Sequence, residues 1–142
     1  EQLNRIFPSG NGHKLYFHPL VPHRELLSRI AEHDIGLATE EYTPDSRNLT
    51  ITNKILQYLQ AGIAVVASDT LGQQEVAREA PEAVLLFKNK DRQALSTLLN
   101  NLLSDPERLR KAREAALNAA RSRFCWEIQR PWLVGWISDL LK

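Results

Sequence analysis

The stretch from Thr52 to Ser68 constrains the fold of this chain more than any other, because it predicts a helix, a stop and a buried strand in succession. We expect the helix to begin near Thr52 and to end at Gly62, since glycine is the usual residue just past a helix end. The run from Ile63 to Ala67 is continuously apolar, which is typical of a strand covered on both faces in a parallel sheet. The polar start of such a helix, at the edge of a parallel sheet, is where anionic ligands usually bind.

Strand and helix patterns alternate along the rest of the chain. Further short strands are predicted at residues 14–18, 34–38 and 83–87, and helices at 23–33, 71–80, 92–103 with Asp91 as N-cap, 106 to about 123, and 126–141. Pro131 is expected to kink the last helix or to restart it. Residues 1–7 resemble the end of another helix, and a long polar loop is predicted from Thr39 to about Ile51. The pattern predicts an α/β domain with a mostly parallel sheet of about four strands and a helical C-terminus.

Composition narrows the classes of protein to consider. The chain has 142 residues, 43% of them hydrophobic and 25% charged, which is typical of one soluble globular domain. A formal net charge of +1 gives no reason to expect nucleic acid as a partner. The single cysteine, Cys125, cannot form an internal disulfide, so the cytoplasm is the simplest location. No apolar run reaches transmembrane length. The four histidines lack metal-ligand spacing, so no metal is expected.

Polar residues follow the predicted strands, at the edge where an open α/β sheet binds ligands. Lys54 falls in the first turn of the central helix, where it opposes the helix dipole. This placement suits a solvated lysine and a cation beside a diphosphate equally well. Asn53 and Gln57 can line the same groove. Thr70 and Asp69 are candidates for the groove, but we expect at least one of them to cap the following helix.

Other candidates have simpler interpretations. Glu40 and Glu41 follow a strand end and are able to bind a sugar hydroxyl, although adjacent loop carboxylates are usually solvated. One helix is basic, which indicates a solvated face, with an acidic lipid surface as the alternative. That helix carries Arg108, Arg110, Lys111, Arg113, Arg121 and Arg123. We expect three tryptophans near the C-terminus to be packing anchors, namely Trp126, Trp132 and Trp136.

An ordered series of motifs resembles the C-terminal, nucleotide-sugar-binding domain of GT-B glycosyltransferases of the group 1, sucrose-synthase-like type. The motifs are VPHREL at 21–26, HDIGLA at 33–38, NKILQYLQAGIAVVAS at 53–68, GQQEV at 72–76, LLSDP at 102–106 and FCWE at 124–127. Each motif alone is weak, but their order is fairly specific and covers nearly the whole chain. The resemblance implies a Rossmann-like half of a GT-B fold, which transfers a sugar from a nucleotide-diphosphate sugar to an acceptor without a metal or cofactor.

The resemblance also implies which residues bind the donor. The diphosphate would lie against Thr52 and Asn53, and the base near Pro19 and Leu20. Gln57 stands where the family has a glutamate that bonds the donor ribose, and an amide can still bond a hydroxyl. The family has another glutamate, which contacts the donor sugar, and its position is occupied by Leu49 in this chain. Because leucine cannot make that contact, Asn48, Glu40 or Glu41 would have to make it. The expected donor-binding residues are Thr52, Asn53, Lys54, Gln57, Asn48, Pro19, Leu20 and Thr70, and no catalytic residue is assigned.

By this resemblance, residues 1–142 are expected to be a single, partial donor domain of a longer enzyme, without the N-terminal acceptor domain and the first strands. We expect such a domain to bind nucleotide weakly and to be inactive alone. Its first strand should pair with its second or leave an edge open to another copy. The expected location is cytoplasmic, peripheral to a membrane in a longer enzyme. The alternative is a non-catalytic, Rossmann-like binding or regulatory module.

Overall fold

The sheet is parallel, and helices cover both of its faces. A computed structural model describes residues 16–142, in which the sheet has three strands in the order β1 (Ile35–Ala38), β2 (Ala64–Ser68) and β3 (Val84–Phe87). Gly36 lies beside Val65, and Val65 lies beside Val84. The carboxyl ends of the strands therefore meet at one edge, which we call the carboxyl edge. The predicted α/β class, with a Rossmann-like parallel sheet and a helical C-terminus, is confirmed.

The helices largely follow the sequence pattern. They are α1 (His23–Ile30), α2 (Asp45–Leu49), α3 (Asn53–Ala61), α4 (Leu71–Glu79), α5 (Arg92–Leu103), α6 (Pro106–Ser122) and α7 (Trp126–Leu140). Helix α3 ends at Gly62, whose φ of 69° is left-handed. A Cβ atom at Gly62 would lie 2.7 Å from Cγ of Leu117. The predicted stop is confirmed, because backbone conformation and packing both require glycine there.

The core lies on both faces of β2, which is buried along its whole length. Val65 and Ala67 pack in one apolar cluster with residues of α3, α4 and α6. Ala64 and Val66 pack in a second cluster, to which α5 contributes more residues than any other element. Successive side chains of a strand point to opposite faces, so a strand between two helical layers must be apolar throughout.

The predicted first strand is wrong where the structure describes it. Tyr16, Phe17 and His18 lie in irregular structure, and Tyr16 and Phe17 are 67% and 63% exposed. A short apolar run forms a strand only when a neighbouring strand supplies hydrogen bonds, and β1 pairs only with β2 among the described residues. Residues 14 and 15 of that strand, and the helix predicted at 1–7, lie outside the described residues. Pairing of the β1 edge with another copy stays a prediction.

Three other expectations need correction, in whole or in part. The polar loop after β1 contains the short helix α2, because the backbone turns at Pro44, whose carbonyl accepts the Arg47 N–H. The expected restart at Pro131 is wrong, because α7 continues through this residue, whereas the alternative, a kink there, stays a prediction. None of the residues of α7 is buried. Solvent can therefore satisfy the carbonyl that a proline leaves without its helical donor. The tryptophans are not packing anchors within residues 16–142, because Trp126, Trp132 and Trp136 are 61%, 63% and 66% exposed.

Within the same residues, no helix is both long enough and apolar enough to span a bilayer.

Candidate active site

The loop after β1 is held to the rest of the carboxyl edge through the main chain of Glu40. Its carbonyl oxygen accepts hydrogen bonds from the Ser68 hydroxyl at 2.6 Å and from the Asn89 amide at 3.0 Å. The Ser68 oxygen in turn accepts from the side-chain amide of Gln73, which is fully buried. Residues from β2, α4 and the loop after β3 therefore fix the position of Glu40.

A second junction forms around the carboxylate of Asp69, just after β2. One oxygen accepts the Tyr42 hydroxyl at 2.5 Å and the backbone N–H of Asn89 at 2.9 Å. The hydrogen bond to Asp69 raises the pKa of Tyr42, because the carboxylate stabilises the protonated phenol. The loops after all three strands are thus connected by polar contacts, and a cavity of about 250 Å³ lies between the first and the third of them.

Lys54, in the first turn of α3, forms an ion pair with the side chain of Glu40. The Nζ atom lies 2.7 Å from a carboxylate oxygen, and the two side chains are 47% and 14% exposed. The neighbouring acid, Glu41, points to a different cation: it lies 3.6 Å from Lys90 and is 55% exposed. Lys54 is therefore not a freely solvated lysine, and the two adjacent glutamates have different environments.

The start of α3 carries no side-chain cap. Thr52 is the N-cap residue, but its side chain accepts no hydrogen bond from the first turn. Its hydroxyl oxygen is buried and has no partner among the described residues. Backbone N–H groups of a first helical turn lack partners within the helix and attract negative charge. The α3 start therefore combines these donors with a hydroxyl and the Lys54 ammonium.

The start of α4 is closed by a residue from another element. Thr70 is its N-cap residue and is fully buried, yet its hydroxyl caps nothing and lacks a partner in the described part of the chain. The Asn48 side-chain oxygen instead accepts the Leu71 N–H at 3.1 Å. The expected capping by Thr70 or Asp69 is therefore wrong. The sequence does not predict this cap, because the hydrogen bond joins Asn48 of α2 to Leu71 of α4, which are far apart along the chain.

Gly72 allows the segment before α3 to approach α4 closely. A Cβ atom at this position would lie 2.4 Å from the carbonyl oxygen of Thr50. This is a contact with backbone, which cannot move aside as a flexible side chain does. The packing of Thr50 on α4 therefore fixes the approach of the chain to Thr52.

The structure brings some of the predicted donor-binding residues together and separates others. Thr52, Asn53, Lys54, Asn48 and Thr70 all lie at or beside the starts of α3 and α4. Gln57 follows one turn later on α3 and is half-buried. Leu49 ends α2 and is 64% exposed.

Pro19 and Leu20 line a different cavity, of about 380 Å³, whose other walls come from the adjoining residues and α1. No residue of α3 lines it.

Sequence reasoning missed the partners that position these groups. Tyr42, Gln73 and Asn89 contact Asp69, Ser68 and the Glu40 carbonyl respectively. Only Asn89 had a signal, since it follows a predicted strand. The described residues contain no group of three or more His, Cys, Asp or Glu side chains that could hold a metal ion.

A family model, Glycosyl transferases group 1, matches residues 10–119. The chain belongs to this family. The match covers the whole three-stranded sheet and most of α6, and it stops before α7. It confirms the predicted family and is consistent with the C-terminal, Rossmann-like half of a GT-B fold. Neither the curated proteins nor the solved structures gave a match to the chain.

Membership identifies a transferase domain whose general chemistry is the transfer of a glycosyl group to an acceptor. In the group 1 domain described here, the carboxyl edge offers an uncapped helix start, a lysine and a fixed acid within one region.

Proposed function

We propose that this domain binds the nucleotide-diphosphate sugar of the transfer reaction, with the diphosphate at the start of α3. The observation that carries the proposal is the combination of three features at this start. They are first-turn N–H groups without a side-chain cap, a buried Thr52 hydroxyl that has no partner among the described residues, and the Lys54 ammonium. Each of these groups interacts favourably with an anion. Together they favour a bound phosphate, whereas a helix start that is stable without a ligand usually has a side-chain cap and no cation in its first turn.

Magnitudes support a phosphate as the ligand. A helix dipole favours an anion at its start by about 0.3–1 kcal/mol, and a hydrogen bond to a charged group contributes about 1.5–3 kcal/mol. Lys54 opposes the dipole in the unliganded chain, and its partner Glu40 offsets that cost. A diphosphate would provide the same compensation and would also accept from the backbone N–H groups of the first turn.

The remaining expected donor contacts are Gln57 on α3, Pro19 and Leu20 before α1, and Asn48 and Thr70 near the start of α4. Gln57 lies one turn after the proposed phosphate subsite and carries an amide that can bond ribose hydroxyls. Pro19 and Leu20 are the proposed base contacts because they line an open cavity of about 380 Å³. Asn48 and Thr70 then support the subsite, Asn48 by capping α4 and Thr70 as a buried neighbour.

We further propose that the 142-residue chain binds donor without transferring its sugar. The family reaction needs an acceptor held opposite the donor in a closed cleft, and closure of this kind usually completes the catalytic site. An additional domain would hold the acceptor. This part of the proposal is tested separately, by following hydrolysis and transfer of a radiolabelled donor.

Calorimetric titration tests the binding proposal. The chain is titrated with UDP, GDP and ADP, and with uridine, guanosine and adenosine as matched controls that lack phosphate. We expect at least one diphosphate to bind and its nucleoside to bind at least about tenfold more weakly, since the charged contacts are lost. Equal affinity for a diphosphate and its nucleoside, or no binding of any diphosphate, would contradict a phosphate subsite at α3.

A further inference from the structure

Strand β3 is an outermost strand of the sheet among the described residues. It pairs with β2 on one side, and we call its other side the open side of β3. The carbonyls of Ala83 and Phe87 accept hydrogen bonds from the β2 side. Peptide groups point alternately to the two sides along a strand, so those of Val84 and Leu86 face the open side.

The backbone groups on the open side differ in whether they are satisfied. The Val84 N–H is bonded to the Ala80 carbonyl at 3.0 Å. The Leu86 N–H and the Val84 and Leu86 carbonyls make no hydrogen bond within residues 16–142. Strand β3 also contains no charged residue or proline, which are residues that usually prevent an outer strand from pairing. The free backbone groups can therefore bond to an added strand.

A groove of about 440 Å³ lies between the open side of β3 and α4. Side chains from both faces of β3 line the groove, so it opens beside the strand. Its two charged side chains lie at opposite ends. Asp69 is at the carboxyl edge, just after β2, whereas Arg78 is in the last turn of α4, toward the amino ends of the strands. Arg78 is exposed and belongs to none of the ion pairs in the described part of the chain.

We propose that the open side of β3 binds the same strand of a second copy of this chain, in antiparallel orientation. A twofold axis joins identical surfaces, so such a surface must complement itself. Leu86 meets this requirement, because it offers both a donor and an acceptor on the open side. The two sheets then form one continuous sheet, in which each outer strand covers the other.

The charges of the groove favour a second copy over an extended segment of another protein. Antiparallel pairing reverses the groove of one copy relative to that of the other. Arg78 of each copy then lies toward the partner's Asp69, and this pairing of opposite charges occurs twice. A segment of another protein need not carry charges that match both ends. The surface is separate from the α3 start, so the proposal does not depend on diphosphate binding.

Two measurements on the 142-residue chain test this proposal. Sedimentation velocity follows association between about 10 µM and about 1 mM, a range suited to a small interface. We expect a dimer whose fraction rises with concentration. Amide hydrogen exchange, measured by NMR on the same samples, locates the interface. The Leu86 amide should exchange at least about tenfold more slowly at the highest concentration than at the lowest, because its N–H becomes bonded.

A pair of charge reversals tests the contact between the ends of the groove. Arg78→Glu places like charges together at both ends, so the dissociation constant of the dimer should rise by about tenfold. Arg121→Glu is the matched control, since Arg121 is also an exposed arginine in the last turn of a helix. It should leave the dissociation constant within about twofold of that of the unaltered chain.

A pair of proline substitutions tests which outer strand associates. Leu86→Pro removes the N–H on the open side without breaking a bond to β2, and it should abolish the dimer. Leu37→Pro makes the same change at β1 and should leave the dimer intact. The Leu37 N–H faces away from β2 by the same alternation, because the Asp34 carbonyl accepts the Ala64 N–H. Circular dichroism shows whether each variant is folded, and Arg78→Glu decides if Leu86→Pro does not fold.

Three results would overturn the proposal. If the chain stays monomeric throughout the concentration range, the open side of β3 does not bind a second copy, and a segment of another protein becomes the alternative occupant. If a dimer forms but exchange of the Leu86 amide does not slow, or if only Leu37→Pro abolishes the dimer, the interface lies elsewhere. If Arg78→Glu and Arg121→Glu weaken the dimer equally, the charges act through general repulsion and do not pair across the groove.

Discussion

The starts of α5 and α6 differ from the start of α3 in how their first-turn N–H groups are satisfied. Asp91 accepts the Ala94 N–H at 2.9 Å, and Asp105 accepts the Arg108 N–H at 3.0 Å. Both helices therefore begin with an anionic side chain bonded to the positive end of the dipole. Helix α3 begins with Thr52, which makes no such bond, and has a lysine in its first turn.

The difference separates two helix starts that are capped by an acid from one that we propose is open to a ligand. An acid cap satisfies its helix without outside help, whereas the α3 start lacks such a side chain and holds a cation that needs an anionic partner. Glu40 is that partner within the chain, and we propose that a diphosphate replaces it. The following predictions test this contrast.

The largest expected effect is on diphosphate affinity. Lys54→Ala should weaken binding of the nucleoside diphosphate about 10- to 100-fold, because it removes a charged hydrogen-bond donor from the subsite. Lys88→Ala is a matched control, since it removes the same charge from an exposed lysine just after β3. Calorimetric titration of both variants measures the effect. Equal losses in the two variants would indicate general attraction of the anion and no subsite at α3.

Gly72→Ala tests whether the segment before α3 is fixed by its packing on α4. The new Cβ would meet the Thr50 carbonyl oxygen, so the backbone must shift, and the free energy of unfolding should fall by about 1–3 kcal/mol. Diphosphate affinity should fall with it. Gly135→Ala provides the contrast, because a Cβ there meets no atom within 4 Å and alanine favours helix by about 0.5–1 kcal/mol. Urea denaturation measures both, and equal stability changes would contradict the close approach.

The capped and uncapped starts should respond differently when their side-chain oxygens are removed. Asp105→Ala should lower the free energy of unfolding by about 1 kcal/mol and leave diphosphate binding unchanged. Thr52→Val removes a hydroxyl that has no hydrogen-bond partner among the described residues and keeps the shape of the side chain. It should therefore change the free energy of unfolding by less than about 0.5 kcal/mol but weaken diphosphate binding. Chemical denaturation and calorimetry on the same samples check this. A loss of about 1 kcal/mol in Thr52→Val would show that the Thr52 hydroxyl caps α3 after all.

The smallest expected effect concerns the start of α4. Thr70→Val keeps the shape of a fully buried side chain and removes a hydroxyl without a partner in the described residues, so stability should stay within about 0.5 kcal/mol or rise. Thermal unfolding measures the change. A clear loss of stability would mean that the hydroxyl forms a hydrogen bond, such as one to a buried water molecule.

Local features of the fold could be predicted from the sequence. The end of α3 at Gly62, the buried β2 and the cap by Asp91 each depend on residues that are neighbours in the chain. The start of α6 at Pro106 is a further case, because proline favours the first helical position. These elements are confirmed because their sequence signals act over one or two turns.

Features that depend on distant partners could not be predicted in the same way. The Asn48 cap on α4 and the Glu40–Lys54 ion pair join residues from separate elements. Sequence placed all of these residues near the carboxyl edge, but it left open which of them would pair. Two predictions were wrong because an apolar pattern does not show whether a partner surface is present. They are the strand at Tyr16–His18, which is irregular, and the packing role of the α7 tryptophans, which are exposed.

The most direct test of a diphosphate subsite at the α3 start is an amide chemical-shift titration of the labelled chain with UDP, GDP and ADP. The account predicts that the nucleotide that binds shifts the amides of Asn53, Lys54 and Ile55 most strongly. The amides at the acid-capped starts of α5 and α6 should stay nearly unchanged. If a nucleotide binds without shifting the α3 amides, or if none of the three perturbs them at saturating concentration, the central claim is contradicted.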